Sequence, residues 1–215
     1  MGIYTYRQAG YWKDGPTLFT HAIEVTQNNY IVYNTLGNAY FRLGRYQDAE
    51  ETYKQAIRIK PDYVDAHYNH IVYNNLGVTY DKLGRYQDAV ETYKQAIRIK
   101  PDDAEAYSNL GLAYCNLGRY QDAIESLKQA IRIKPAYAEA YINFGVTYYK
   151  LGRYQDAVEA YKQAIRIKPD FAQTYYNLGV TYLVAGDKGA ALEEYKILKT
   201  LDAEKANELF RLINK

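Results

Sequence analysis

A repeated string limits the fold of this chain more than any other feature of its sequence. The string Leu-Gly-Arg-Tyr-Gln-Asp-Ala begins at Leu43, Leu83, Leu117 and Leu151, so successive copies lie 40, 34 and 34 residues apart. A degenerate copy around Gly186 keeps the 34-residue spacing. A unit of this length cannot bury an apolar face alone and must stack on its neighbours, which predicts a solenoid.

Each repeat predicts two amphipathic helices, and residues 138–171 are the clearest example. Tyr141, Phe144, Gly145 and Tyr148 recur at the spacing of one helix face. A glycine follows this first helix, where a left-handed residue commonly ends one, and a proline stops the second helix. The glycine on the apolar face predicts a close crossing of the two helices.

The pattern resembles the tetratricopeptide repeat, with tyrosine at positions where that family usually has tryptophan or phenylalanine. In the first full repeat the matching residues are Tyr33, Leu36, Gly37, Tyr40, Ala49, Tyr53, Ala56 and Pro61. Eighteen of the 27 tyrosines occupy four repeat positions on faces that we expect to pack. The resemblance covers residues 30–205 and implies an all-α fold, a right-handed α–α superhelix of helix–turn–helix repeats.

The resemblance divides the chain into one solenoid with irregular ends. Residues 3–29 match a truncated repeat with a clipped first helix. We expect full repeats at 30–63, 70–103, 104–137, 138–171 and 172–205, and a capping helix at 203–215. Six additional residues precede Leu76, and we assign an irregular linker to 64–69. They predict either a longer loop after Pro61 or a first helix that extends past its neighbours.

Composition narrows the function. The 215 residues are 48% apolar with a formal net charge of +2, which argues against disorder and against a dedicated nucleic-acid binder. We expect no membrane insertion, because no apolar run approaches roughly 18 residues. Cys115 is the one cysteine, and His67 and His70 have no third ligand nearby. With no nucleophile or phosphate-loop motif, we expect no metal, no cofactor and no enzymatic activity.

Asparagines on the first helices form the candidate site. Asn75, Asn109, Asn143 and Asn177 each lie two residues before the anchor glycine of their repeat, and Thr35 takes this place in the first repeat. In the tetratricopeptide family this surface is the ligand groove, and the row resembles the asparagine ladder of the O-linked N-acetylglucosamine transferase superhelix. An amide can donate to and accept from a peptide group. The alternative is that these asparagines bridge neighbouring helices.

The same concave groove is expected to hold further polar and aromatic residues. These are Asn34, Asn38, Arg42, Lys82, Asn116, Tyr149, Lys150 and Tyr176. Apolar residues between them, including Val146 and Val180, indicate a partner, because exposed apolar strips usually mark an interaction surface. We therefore expect a protein-interaction scaffold that binds an extended peptide or a partner segment.

Two alternative functions remain open. Residues 6–30 resemble the junction at which bacterial membrane glycosyltransferase-like proteins pass into a repeat tail, which implies an accessory domain. A structural self-association module is the other possibility. It would use the uncapped N-terminal face near Phe19, or the insertion His70–Asn75, where an overhanging helix would expose Ile71 and Val72. The compartment stays open between the cytoplasm and the extracytoplasmic side of a membrane protein.

Overall fold

The computed structural model describes residues 15–25, 29–59 and 66–214, which form twelve helices and contain no strand. The chain divides into two compact units, Met1–Pro101 and Asp102–Lys215. The first unit contains α1 (Gly15–Val25), α2 (Tyr30–Arg42), α3 (Tyr46–Ile59), α4 (Ala66–Lys82) and α5 (Tyr86–Ile99). The second contains α6 (Ala104–Asn116), α7 (Tyr120–Ile133), α8 (Ala138–Lys150), α9 (Tyr154–Ile167), α10 (Ala172–Val184), α11 (Lys188–Leu201) and α12 (Ala203–Ile213). The predicted all-α fold is confirmed, and the repeat boundaries stay a prediction.

The repeated string is the turn between the two helices of each pair. Gly152 ends α8 with φ of 77°, a left-handed conformation that costs glycine little. The amide of Gly152 donates to the carbonyl of Tyr149, and that of Arg153 donates to the carbonyl of Tyr148. These two bonds close a Schellman motif. Arg153 also lies over the Tyr148 ring and bonds Asp156 in the first turn of α9 at 2.8 Å, which fixes where the second helix starts.

In the four helix pairs from α2 to α9, a glycine on the first helix lies directly against a large side chain of the second helix. A Cβ atom built on Gly145 would lie 2.5 Å from a ring carbon of Tyr161. Gly37 meets Tyr53 in the same way, at 2.6 Å. Because no other residue leaves this space, the two helix backbones approach closely and the ring is buried. Both tyrosines are at most 2% exposed.

The six-residue insertion lengthens a helix and does not create an overhanging apolar surface. Helix α4 has 17 residues, whereas α2, α6, α8 and α10 have 13 each. Of the two predicted outcomes, the extended helix is the one observed, and Pro61 lies outside the described residues. The expectation that Val72 is exposed is wrong, because Val72 is 1% exposed. It lies one helical turn before Leu76 on the same face, so it continues the core stripe, while Ile71 is half-buried.

Helix α12 lies where the capping helix was predicted. Leu209 and Ile213 are buried. Leu209 packs closely against Gly179 of α10, where a Cβ atom would lie 2.6 Å from a Leu209 methyl carbon. The helical spacing of Leu209, Phe210 and Ile213 predicts that all three lie on one packing face, but Phe210 is 44% exposed. Its ring stacks on Tyr195 with 5.0 Å between centroids, so it packs at the edge of the cap.

The N-terminal region is described only in part. Phe19 in α1 is half-buried, and the clipped helix predicted before residue 15 lies outside the described residues. Across 15–25, 29–59 and 66–214, every helix is too short or too polar to span a membrane.

Replacing the crossing glycine tests this packing. We expect Gly145→Ala to lower the free energy of unfolding by about 1–2 kcal/mol, because crowding the Tyr161 ring outweighs the helix propensity gained. Gly189→Ala is the matched control, because its new methyl group meets only Asp187 Oδ1 at 3.5 Å. It should leave stability unchanged or raise it by up to about 1 kcal/mol. Urea denaturation measures both, and an equal gain at the two positions would contradict a tight crossing.

Candidate functional site

In the first unit, the predicted asparagines contact one another across two first helices. Asn75 Nδ2 of α4 donates to Asn38 Oδ1 of α2 at 3.2 Å and to Asn34 Oδ1 at 3.4 Å. Asn38 Oδ1 also accepts from the Tyr53 hydroxyl at 2.7 Å. The structure therefore brings these three predicted residues together, and here they bridge neighbouring helices.

The predicted basic residues of the first unit lie at helix ends. Arg42 and Lys82 are exposed in the last turns of α2 and α4. A positive charge there complements the carbonyl end of the helix dipole. Their placement is compatible with contact to a partner, and it is also what helix stability alone would favour.

The second unit repeats the bridging with different partners. Asn143 Nδ2 of α8 donates to Ser108 Oγ of α6 at 3.0 Å. The Lys150 ammonium donates to Asn116 Oδ1 at 3.1 Å, again joining α8 to α6. Asn109 is half-buried on α6. The alternative that the asparagines bridge neighbouring helices therefore holds for Asn143, as it does for Asn75 in the first unit.

A hollow of about 300 Å³ lies over α8 and α10 and collects four of the predicted site residues. It is lined by Val146, Tyr149, Lys150, Tyr161, Tyr176, Asn177, Val180, Thr181 and Leu212. Its volume is at the lower end of the range for ligand pockets. Most of the lining side chains are apolar or aromatic, with an amide, a hydroxyl and an ammonium group among them.

Besides Lys150, two of the predicted residues at the hollow have polar partners. The Tyr176 hydroxyl donates to Glu208 Oε1 of α12 at 2.6 Å. Burial, followed by this bond, raises the pKa of Tyr176 to about 12, so the phenol is neutral at physiological pH. Asn177 Oδ1 accepts from Gln173 Nε2 at 2.9 Å, which fixes the amide near the rim.

Two partly buried carboxyl groups are not among the site residues predicted from the sequence. Asp81 Oδ2 accepts from the Tyr93 hydroxyl at 2.6 Å, while Oδ1 is buried without a hydrogen-bond partner. Burial raises the pKa of Asp81 to about 6 although the bond from Tyr93 lowers it. Burial, and then the charge of Glu193, raises the pKa of Glu194 to about 7, against the opposing charge of Lys162.

For Asp81, the sequence contains a signal in the form of a residue that differs in type from its equivalents in other repeats. Asp81 occupies the position held by Phe41, Cys115 and Tyr149 in other repeats. The structure shows no cluster of three or more metal-binding side chains within its described residues. The side chain of His67 lies outside those residues, and His70 is buried in α4.

Comparisons with known proteins find a matching family model and similar solved structures. The family model described as the Cilia and flagella-associated protein 70 C-terminal domain matches residues 7–210. The chain belongs to this tetratricopeptide family. The crystal structure of MamA is 31% identical, with a TM-score of 0.64, and the match covers 80% of this chain and 97% of that one.

Two further relatives differ in how much they share. YrrB, described as a TPR protein with an unusual peptide-binding site, is 22% identical over 90% of this chain and 97% of its own, with a TM-score of 0.60. At that identity the likeness shows the fold alone. The human Protein O-mannosyl-transferase TMTC2 is 30% identical over 65 residues, which are 29% of this chain and 8% of that protein. The chain therefore matches only a small part of this curated relative.

The buried carboxyls predict a pH dependence of stability. Unfolded, the two groups have pKa values near 3.8 and 4.5, so the folded state holds their protons more tightly. The free energy of unfolding should therefore fall as the pH rises from about 4 to about 7. We expect Asp81→Asn and Glu194→Gln each to raise stability at pH 8 by about 1 kcal/mol, allowing for partial solvent exposure.

Urea denaturation at pH 5 and pH 8 measures this effect. Both variants should show a smaller difference between the two pH values than the parent chain does. Asp102→Asn is the matched control, because its side chain is exposed, and it should leave the difference unchanged. Identical pH profiles in all four proteins would contradict the burial of these carboxyls.

Proposed function

We propose that this chain is a protein-interaction scaffold that holds an extended peptide or partner segment along its first helices. The observation that carries this proposal is the hollow over α8 and α10, whose lining includes the amide of Asn177, while Asn143 lies on α8 as well. Apolar walls supply contact area, and amides can pair with peptide groups. This combination suits a polypeptide ligand better than a small polar metabolite.

The asparagines retain hydrogen-bonding capacity after they bridge the helices. A primary amide can make up to four hydrogen bonds, and Ser108 takes one of those available to Asn143. A bound backbone would use the remaining donor and acceptor positions. Bridging then has a second consequence, because it fixes the orientation of the amide before the peptide arrives and so lowers the entropic cost of binding.

The fold is compatible with this function. YrrB shares the architecture and is described as carrying a peptide-binding site, so a solenoid of this kind can hold one. The proposal for this chain rests on its own side chains, because the identity to YrrB is low.

A local match supports a second candidate. The 65 residues shared with human TMTC2 favour an accessory role next to a membrane glycosyltransferase, where the scaffold would hold the protein substrate. The coding sequence around this chain decides the matter. Membrane-spanning segments in the same reading frame would support the accessory role, and a complete reading frame without any such segment would contradict it.

Removing two amides tests the scaffold. A peptide array identifies the tightest octapeptide, and fluorescence anisotropy then measures its affinity. We expect Asn109→Ala with Asn143→Ala to weaken binding by about 1–3 kcal/mol, from one or more lost hydrogen bonds at each position. The unfolding midpoint should fall only by the amount that loss of the bond from Asn143 to Ser108 explains, which Ser108→Ala measures separately.

Ser108→Ala separates binding from bridging. It removes the partner of Asn143 and leaves the amide itself in place. We expect it to retain most of the affinity. If the double variant unfolds more readily while its folded fraction binds as before, the asparagines are structural and the peptide-gripping role is wrong.

A further inference from the structure

Three tyrosines among the described residues pack against a crossing glycine, and the Tyr161 hydroxyl is the one of the three that lacks an internal hydrogen-bond partner. The Tyr53 hydroxyl donates to Asn38 at 2.7 Å and the Tyr93 hydroxyl donates to Asp81 at 2.6 Å. Tyr161 occupies the same repeat position and is 2% exposed, but its hydroxyl has no hydrogen-bond partner among the described residues. Its side chain lines the hollow instead.

The sequence explains why this hydroxyl is unpaired. The acceptors in the first unit come from positions one and four residues after the anchor glycine, as Asn38 and Asp81. In the repeat at 138–171 these positions hold Val146, which has no acceptor, and Tyr149, whose ring packs near Tyr154 with 5.7 Å between centroids. The described atoms that are both buried and unpaired are Asp81 Oδ1 and one carboxyl oxygen of Glu194, so the unpaired Tyr161 hydroxyl is accessible at the hollow and can bond a ligand atom there.

The walls of the hollow indicate what kind of group would fill it. Val146, Val180 and Leu212 supply apolar surface, and Leu212 is 37% exposed without a ligand. The rings of Tyr149 and Tyr176 stand beside them, and aromatic pairs gain energy beyond their buried area. The complementary group is a ring with an apolar body and one hydrogen-bonding atom.

We propose that the hollow is a specificity pocket for a tyrosine side chain of the bound peptide, with the ligand phenol paired to the Tyr161 hydroxyl. This inference rests on the proposed function and names the residue that the groove selects. Burial raises the pKa of Tyr161 well above its usual range, so its hydroxyl keeps the proton that it donates. The asparagines would hydrogen-bond the backbone of a bound peptide whatever its sequence, and the hollow would select one of its side chains.

A double-mutant cycle tests the pocket. The probes are the octapeptide selected on the array and the same peptide with its tyrosine replaced by phenylalanine, each measured against the parent protein and Tyr161→Phe. With the parent protein we expect the phenylalanine peptide to bind about 5–10-fold more weakly, the loss of one hydrogen bond. With Tyr161→Phe the two peptides should bind equally.

The unfolding midpoint of each variant shows whether a loss of affinity comes from a loss of folding. Tyr161→Phe removes an unpaired hydroxyl, so its unfolding midpoint should stay the same or rise. Tyr53→Phe is the matched control and should lower the midpoint, because it breaks the bond to Asn38. Val180→Phe, which fills the hollow, should abolish the preference for tyrosine.

The outcomes separate the two proposals. If the array selects no tyrosine, or if the four affinities in the cycle are additive, the pocket is wrong even though a peptide binds. If affinity falls in the asparagine double variant but not in Tyr161→Phe, the scaffold stands and the pocket alone is overturned. If no octapeptide binds the parent protein, both proposals fail.

Discussion

The close contact between a glycine of one helix and a large side chain of the next is the constraint on which the four helix pairs from α2 to α9 depend. Because Gly145 has no side chain, the Tyr161 ring packs closely against the α8 backbone and is buried. A tyrosine in this position extends across the first helix, so its hydroxyl lies on the side that carries the asparagines. The bond from the Tyr53 hydroxyl to Asn38 is an example. One packing rule thus joins the core to the candidate binding surface.

Chemical differences along this scaffold come from the few positions at which the residue type changes from one repeat to the next. The three crossing tyrosines are equivalent in the fold, yet their hydroxyls meet an amide, a carboxyl group and an open hollow. The difference is set by the residues one and four positions after each anchor glycine. Asp81 shows the cost of such variation, because its second oxygen is buried without a partner. A uniform scaffold can in this way present chemically different sites.

Local spacing predicted most of the fold and less of the site. Turn glycines, helical periodicity and the crossing glycine depend on residues close in sequence, so the all-α repeat fold follows from them. The inserted residues before Leu76 allowed two structures, because spacing alone does not decide whether a helix continues or a loop lengthens. The partners of Asn143 and Tyr161 depend on the offset between stacked helices. That offset is a long-range property, so the sequence indicated the row but neither its bridging bonds nor the unpaired hydroxyl.

We propose that a peptide is held at the hollow over α8 and α10. The most direct measurement is the set of intermolecular nuclear Overhauser effects between the selected octapeptide and the methyl groups of Val146 and Val180 in isotope-labelled protein. The account predicts contacts from the aromatic ring of a single peptide tyrosine to both methyl-bearing side chains. Contacts confined to the exposed apolar residues Ile197 and Phe210, with none to Val146 or Val180, would contradict it.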